Sequence, residues 1–257
     1  MEKEGKYIYC VVATPQERTF KAVAIGGGGA GVLTCGYNDL SMVVSDYPVS
    51  KLTVSRENML AHQRVIEEVM REYDSVLPVR FGTVAAGVDE IRSLLAGRYG
   101  EFKNALREMD HKVELGVKGA WKNMDVLFKE ILNENKAIKQ AKEAILRDRN
   151  RKNIPAKVEA GRMLAGALEK KKEAEGEKVV NALRRTAFDY KPNKTVGDAM
   201  FVNAAFLVDK SRGKEFDNIM DELCETYKDK IKFAYAGPLH VFNFVNLAIY
   251  AREWERQ

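Results

Sequence analysis

Val113-Glu114-Leu115-Gly116-Val117-Lys118-Gly119-Ala120-Trp121 sets the architecture. Apolar residues alternate with polar or small ones, the period-two pattern of a strand with one buried face. The period then changes. Met124, Phe128, Ile131, Ile138 and Ile145 fall close to a heptad seam, which reads as a long helix. After the polar turn at residues 149–153, Pro155 occupies a favoured first helical position. Val158, Leu164, Leu168, Val179, Val180 and Leu183 mark the apolar side of a second helix. Gly161, Gly166 and Gly176 predict local bending in it. The two form an antiparallel helical hairpin over about 123–187. Residues 189–194 read as a connecting loop and 201–208 as a buried strand. Phe216, Ile219, Met220, Leu223 and Tyr227 define a further amphipathic helix. A strand at 231–235, a turn at 236–240 and an apolar run at 241–247 close the chain. The order strand, long helices, strand, helix, strand, strand resembles a ferredoxin-like split β-α-β with an inserted helical hairpin.

Upstream, Tyr7-Ile8-Tyr9-Cys10-Val11-Val12 is apolar at successive positions, as in a strand covered on both faces. Short runs at 21–25, 32–37 and 40–45 read as strands, the last two a hairpin turning at Asn38-Asp39. Ser55 can cap a helix whose apolar stripe includes Met59, Ile66, Met70 and Tyr73. A strand at 77–84 comes next, with Pro78 at a strand start or an edge because it lacks an N–H. A single helix from Asp89 carries Ile91, Leu94, Leu95, Phe102, Leu106 and Met109. This is a small α+β layer with helices on one sheet face. The expectation is an α+β protein of two domains, 1–112 and 113–257, the second ferredoxin-like.

With 46% hydrophobic residues the chain can build a real core. It has no run of about 18 apolar residues, so no transmembrane helix is expected. The charged start Met1-Glu2-Lys3-Glu4-Gly5-Lys6 is unlike a signal peptide, which predicts a cytoplasmic protein. Cys10, Cys35 and Cys224 are widely spaced and form no CxxC pair, so they read as buried or partly buried thiols. The net charge is +5, yet residues 136–185 hold fifteen Lys/Arg and seven Asp/Glu. The basic character therefore belongs to one helical region, read as a solvated face. Nucleic-acid binding there is disfavoured, since the region lacks aromatics for base stacking.

Gly26-Gly27-Gly28-Gly29-Ala30-Gly31 can be parsed as a phosphate-binding glycine pattern, but the residues after Gly31 are strand-like rather than a helix start. A hairpin loop is the better reading. His62, His111 and His240 are the only histidines, and none stands in a close metal-ligand pair. His62 reads as structural, at a helix–sheet boundary. His240 could line a groove. Arg80 interrupts an apolar strand and must be exposed or paired; Glu114 is one partner to consider. No catalytic residue, cofactor site or metal site is expected.

Four segments resemble one family. They are the opening strand at 7–12; His62 followed by Val76-Leu77-Pro78-Val79-Arg80-Phe81-Gly82-Thr83; Glu114-Leu115-Gly116-Val117-Lys118; and Ala236-Gly237-Pro238-Leu239-His240-Val241-Phe242-Asn243-Phe244-Val245. In order and spacing they are similar to the gas vesicle protein GvpL/GvpF family. Leu239, His240 and Val241 depart from the aromatic and proline residues of its last motif. The resemblance implies a non-enzymatic role in gas vesicle formation through contact with the major shell protein and with other accessory proteins. On that reading Gly237, Pro238, His240, Phe242 and Phe244 are candidate partner-binding residues, and the loop at 26–31 is a further candidate surface. His62, Pro78, Arg80, Phe81, Gly82 and Glu114 are candidate structural residues. Two other classes stay open: a nucleic-acid binder using the basic helical face, and an enzyme of ferredoxin-like fold.

Overall fold

The computed structural model describes residues 4–27, 31–49, 52–147, 153–245 and 249. It is a mixed helix-and-sheet protein with two sheets. The chain forms two compact units, one running to Glu114 and resuming at Gly237, the other Leu115–Ala236. The sequence reading places residues 113–257 in the second domain. The returning segment instead belongs to the first unit, because Val245 and Ile249 pack into that unit's core.

The first unit contains β1 (Glu4–Val12), β2 (Thr19–Phe20), β3 (Val32–Tyr37), β4 (Leu40–Pro48), α1 (Arg56–Glu72), β5 (Val76–Pro78), β6 (Val84–Ala85), α2 (Val88–Gly97) and α3 (Tyr99–Glu108). Strand order is β2-β3-β4-β1-β5, with β6 also pairing β1. Residues 7–12 of β1 are all fully buried. Ile8 and Val11 enter a core with Leu94, Leu95, Phe102 and Leu106. Tyr7, Tyr9, Cys10 and Val12 enter another with Val65, Ile66 and Val69. Helices thus cover both faces of this sheet, α1 on one and α2 and α3 on the other, correcting the one-faced reading. A register shift between Ile8 and Cys10 puts Tyr9 and Cys10 on the same face.

Local chemistry explains the other departures. The Ser55 hydroxyl accepts from Asn58 N at 3.1 Å and starts α1 as expected. The expected strand at 77–84 splits, because Gly82 turns the backbone at φ 88°. The expected helix from Asp89 breaks at Arg98, whose backbone (φ −113°, ψ 21°) is not helical. The expected strand at 21–25 is replaced by pairing at Thr19–Phe20 and a 3-10 turn at Ile25–Gly27. Gly28, Gly29 and Ala30 lie outside the described residues. Cys10 and Cys35 are buried, but Cys224 is exposed.

The second sheet is formed by β7 (Lys112–Trp121), β8 (Ala187–Pro192), β9 (Met200–Asp209) and β10 (Ile231–Leu239), in the order β10-β7-β9-β8. Between β7 and β8 come α4 (Met124–Glu134), α5 (Lys136–Arg147) and α6 (Ile154–Leu183); α7 (Gly213–Thr226) joins β9 to β10. The first arm of the expected hairpin is two helices. Asn135 leaves helical geometry (φ −119°, ψ 91°), and its side-chain amide donates to the Ile131 carbonyl at 2.8 Å. Residues 189–192, expected to be a loop, lie in the edge strand β8. The turn expected at 236–240 begins later, since Gly237 and Pro238 remain in β10.

α6 is continuous through all three glycines. At Gly161 and Gly166 an added Cβ would meet nothing within 4 Å, whereas at Gly176 it would lie 3.0 Å from the Phe201 carbonyl. Gly176 is buried and lets α6 approach β9. Gly176→Leu should therefore lower stability by about 2 kcal/mol. Gly161→Ala should be neutral or raise it by up to about 1 kcal/mol. Urea denaturation of the two variants beside the parent checks both signs.

Candidate functional site

In the first unit, β1 and α1 build an aromatic cluster around His62. The Tyr7 hydroxyl lies 2.9 Å from His62 Nδ1 and accepts from Gly82 N at 3.1 Å. The Tyr7 oxygen can both donate and accept, so the direction of the bond to Nδ1 follows the imidazole tautomer. Tyr9 presents its hydroxyl to Ile25 N at 2.8 Å and to Ser45 Oγ at 2.9 Å. The His62 ring stacks between Tyr9 (centroids 5.7 Å, 27°) and Phe242 (6.2 Å, 21°). Phe81 meets it edge-on at 5.7 Å, and His240 meets Phe242 edge-on at 4.5 Å. His62 and His240 are 3% and 5% exposed, while Phe242 is 40% exposed. The stack has one end open to solvent, and that end is Phe242.

The electrostatics keep the cluster neutral. Burial pushes His62 down to about 4, the neighbouring His240 acts in the same direction, and the Val79 backbone opposes. Burial lowers His240 as well, against the pull of Glu67. Burial raises Tyr7 and Tyr9, with the Gly82 and Ile25 amides opposing respectively. At neutral pH none of these four groups carries charge, so the site suits apolar contact. His62 Nε2 and His240 Nδ1 have no hydrogen-bond partner among the described residues.

The turn carrying Phe242 is anchored by a carboxylate. Glu114, 4% exposed, accepts from Asn243 N at 2.9 Å through Oε2 and from Asn243 Nδ2 at 2.6 Å through Oε1. Within the turn, Phe242 N donates to the His240 carbonyl and Phe244 N to the Val241 carbonyl. The partner considered for Glu114 from the sequence, Arg80, is not the one it takes. Arg80 is exposed, and its carbonyl accepts from Thr83 Oγ1 at 2.7 Å.

The structure therefore gathers His62, Phe81, Gly82, His240 and Phe242 in one cluster, with Glu114 bracing the turn. Phe244 is half-buried in the same turn, and Gly237 and Pro238 are exposed at the end of β10. Pro78 is buried at the end of the edge strand β5. Described residues of the glycine loop, Gly26 and Gly27, line an open groove of about 700 Å³ with Glu57, Arg64 and Glu68 of α1, a lining of mixed charge. Sequence reasoning misses Tyr7, Tyr9 and Asn243. A buried tyrosine needs a hydroxyl partner, which flags Tyr7 and Tyr9, but nothing local identifies a partner 55 residues away. Among the described residues no group of three or more His, Cys, Asp or Glu could hold a metal ion. No helix among them is long and apolar enough to cross a membrane.

Fold and site together define an α+β protein whose buried polar side chains brace an aromatic surface. The chain belongs to the gas vesicle synthesis protein GvpL/GvpF family, whose model matches residues 5–246. Members of this family are gas vesicle structural and accessory proteins, not enzymes. The chain is 29% identical over 206 residues to gas vesicle protein F of Streptomyces sp. (strain CB03234), covering 80% of this chain and 84% of that one. It is 24% identical to gas vesicle protein F1 of Halobacterium salinarum, over 97% of each chain. The fold is similar to the crystal structure of the gas vesicle protein GvpF from Anabaena sp. PCC7120, with a TM-score of 0.84 at 18% identity, over 96% of this chain and 100% of that one.

The depressed His62 value sets a pH dependence. Unfolded, the imidazole takes up a proton near 6.5; folded, it does so only near 4. The unfolded state therefore binds more protons as pH falls from 6.5 to 4, and stability drops across that window. The loss from this residue should approach about 3 kcal/mol. Urea denaturation at pH 7 and pH 4 should show a smaller drop for His62→Phe than for the parent.

Proposed function

We propose that this protein supports gas vesicle assembly by binding the major shell protein, with the turn from His240 to Phe244 as its contact. The observation that carries this reading is Phe242. It is an aromatic ring 40% exposed, stacked on a buried imidazole and held in a turn whose Asn243 is clamped by Glu114. A rigid aromatic anchor loses little conformational freedom on binding, the property of residues that dominate interfaces. Gly237, Pro238 and the half-buried Phe244 extend the surface with little charge. Such a surface would shield an apolar segment of the shell protein before it joins the growing wall. Association with other gas vesicle accessory proteins and a place in the cytoplasm belong to the same proposal.

Purified protein should capture the major shell protein in both low and moderate salt, because apolar contact is little screened. The pair Phe242→Ser and Phe244→Ser should weaken capture by about tenfold or more. Phe242→Ser alone, at the more exposed position, separates a binding defect from a folding defect when thermal melts are compared. Unchanged capture by the folded variants would defeat this placement of the surface.

A further inference from the structure

The outer part of the α5–α6 hairpin has no interior of its own. Ile138 on α5 and Leu168 on α6 are its outermost buried residues among those described. Farther out, the helices meet through half-buried Ala141 and Ile145 on α5 and Ala156 and Ala160 on α6. These residues line a cleft of about 230 Å³. Large aliphatic side chains stand outside this seam: Leu146 is 72% exposed, Ile154 67% and Val158 65%.

Charge is sorted around the same seam. Lys139, Lys142 and Leu146 are spaced i, i+3, i+7 and form one stripe on α5. Ile154, Lys157 and Val158 form another on α6. Lys142 and Leu146 each follow a seam residue by one position, and so does Lys157. In an antiparallel pair the same rotation from the seam leads to the same side, so these three share one side of the hairpin. Among the described residues, the carboxylates beside these stripes are engaged: Glu143 with Arg147 at 3.8 Å and Glu159 with Arg162 at 3.0 Å.

We propose that this side of the hairpin docks an amphipathic helix of another protein, one whose apolar stripe is bordered by carboxylates. Leu146 and Ile154 would meet the stripe, and Lys139 and Lys142 its acidic border. Two helices joined through alanines let a third approach closely, and packing it would bury aliphatic surface the hairpin now leaves in water. Exposed aliphatics beside the lysines favour a helix over a nucleic acid, which would find no aromatic ring for stacking between residues 129 and 186. This surface lies in the second unit and does not depend on the shell-protein reading.

The test uses the full chain and two synthetic peptides of about 20 residues. Both carry leucines at i, i+3, i+4 and i+7; one borders them with glutamate, the other with lysine. The Glu-bordered peptide should bind and the Lys-bordered one should not. Lys139→Glu with Lys142→Glu should weaken the first by about tenfold or more and confer binding of the second. Leu146→Ser with Ile154→Ser should weaken it by about tenfold, with an unchanged melting temperature because both positions are exposed. Phe242→Ser should bind the peptide like the parent, which keeps this result separate from shell-protein capture. Equal binding of both peptides, or of neither, would overturn the proposal. So would retention of duplex DNA that the charge reversals abolish and the serine substitutions leave intact.

Discussion

The structure of the first unit rests on a strand with no solvent face. Every residue from Tyr7 to Val12 is fully buried, and each side of β1 carries its own helical layer. That burial is strongly favourable for the aliphatic residues, at about 1.5–3 kcal/mol each. It puts a strict condition on the two tyrosines, whose unsatisfied hydroxyls would each cost about 1–3 kcal/mol. The surroundings are arranged to meet this condition. Tyr9 is met by Ile25 N and Ser45, Tyr7 by His62 and Gly82 N. Much of what resembles a functional motif in this unit, including the histidine and the left-handed glycine, is the hydrogen-bonding shell of β1.

The same condition shapes the surface. His62, drawn inward by Tyr7, becomes the platform on which Phe242 stacks. A cationic imidazole would be costly so far from water, so burial keeps it neutral and the platform apolar. Glu114 is the opposite solution to the same problem. Its buried carboxylate is offset by two donors from one residue, Asn243, and the outcome is a fixed turn rather than a reactive group. Buried polar groups are used here for position. That agrees with a family of gas vesicle structural and accessory proteins.

Local signals expose many of the elements. The Ser55 cap, the buried run at 7–12 and the alternation at 113–121 each act within a few residues and reappear in the structure. Boundaries go wrong where one residue's backbone decides, as at Gly82, Arg98 and Asn135. β8 reads as a loop because an edge strand with Asp189, Lys191 and Pro192 carries the residues that protect a sheet edge, and those also mark loops. The site is only half legible. His62, Phe81, Gly82, His240 and Phe242 stand out in the sequence, but their convergence depends on pairings as far as 180 residues apart. The sequence leaves Arg80 either exposed or paired with Glu114; Arg80 is exposed, and the buried carboxylate is met by amide donors instead.

The central claim is that β1 holds His62 as a buried, neutral imidazole hydrogen-bonded to Tyr7 through Nδ1. Nitrogen NMR of the histidine rings near pH 6 tests it directly. The account predicts a neutral, hydrogen-bonded ring in the parent, with Tyr7→Phe shifting the Nδ1 resonance. A cationic His62 at that pH, or an Nδ1 resonance indifferent to Tyr7→Phe, would contradict it.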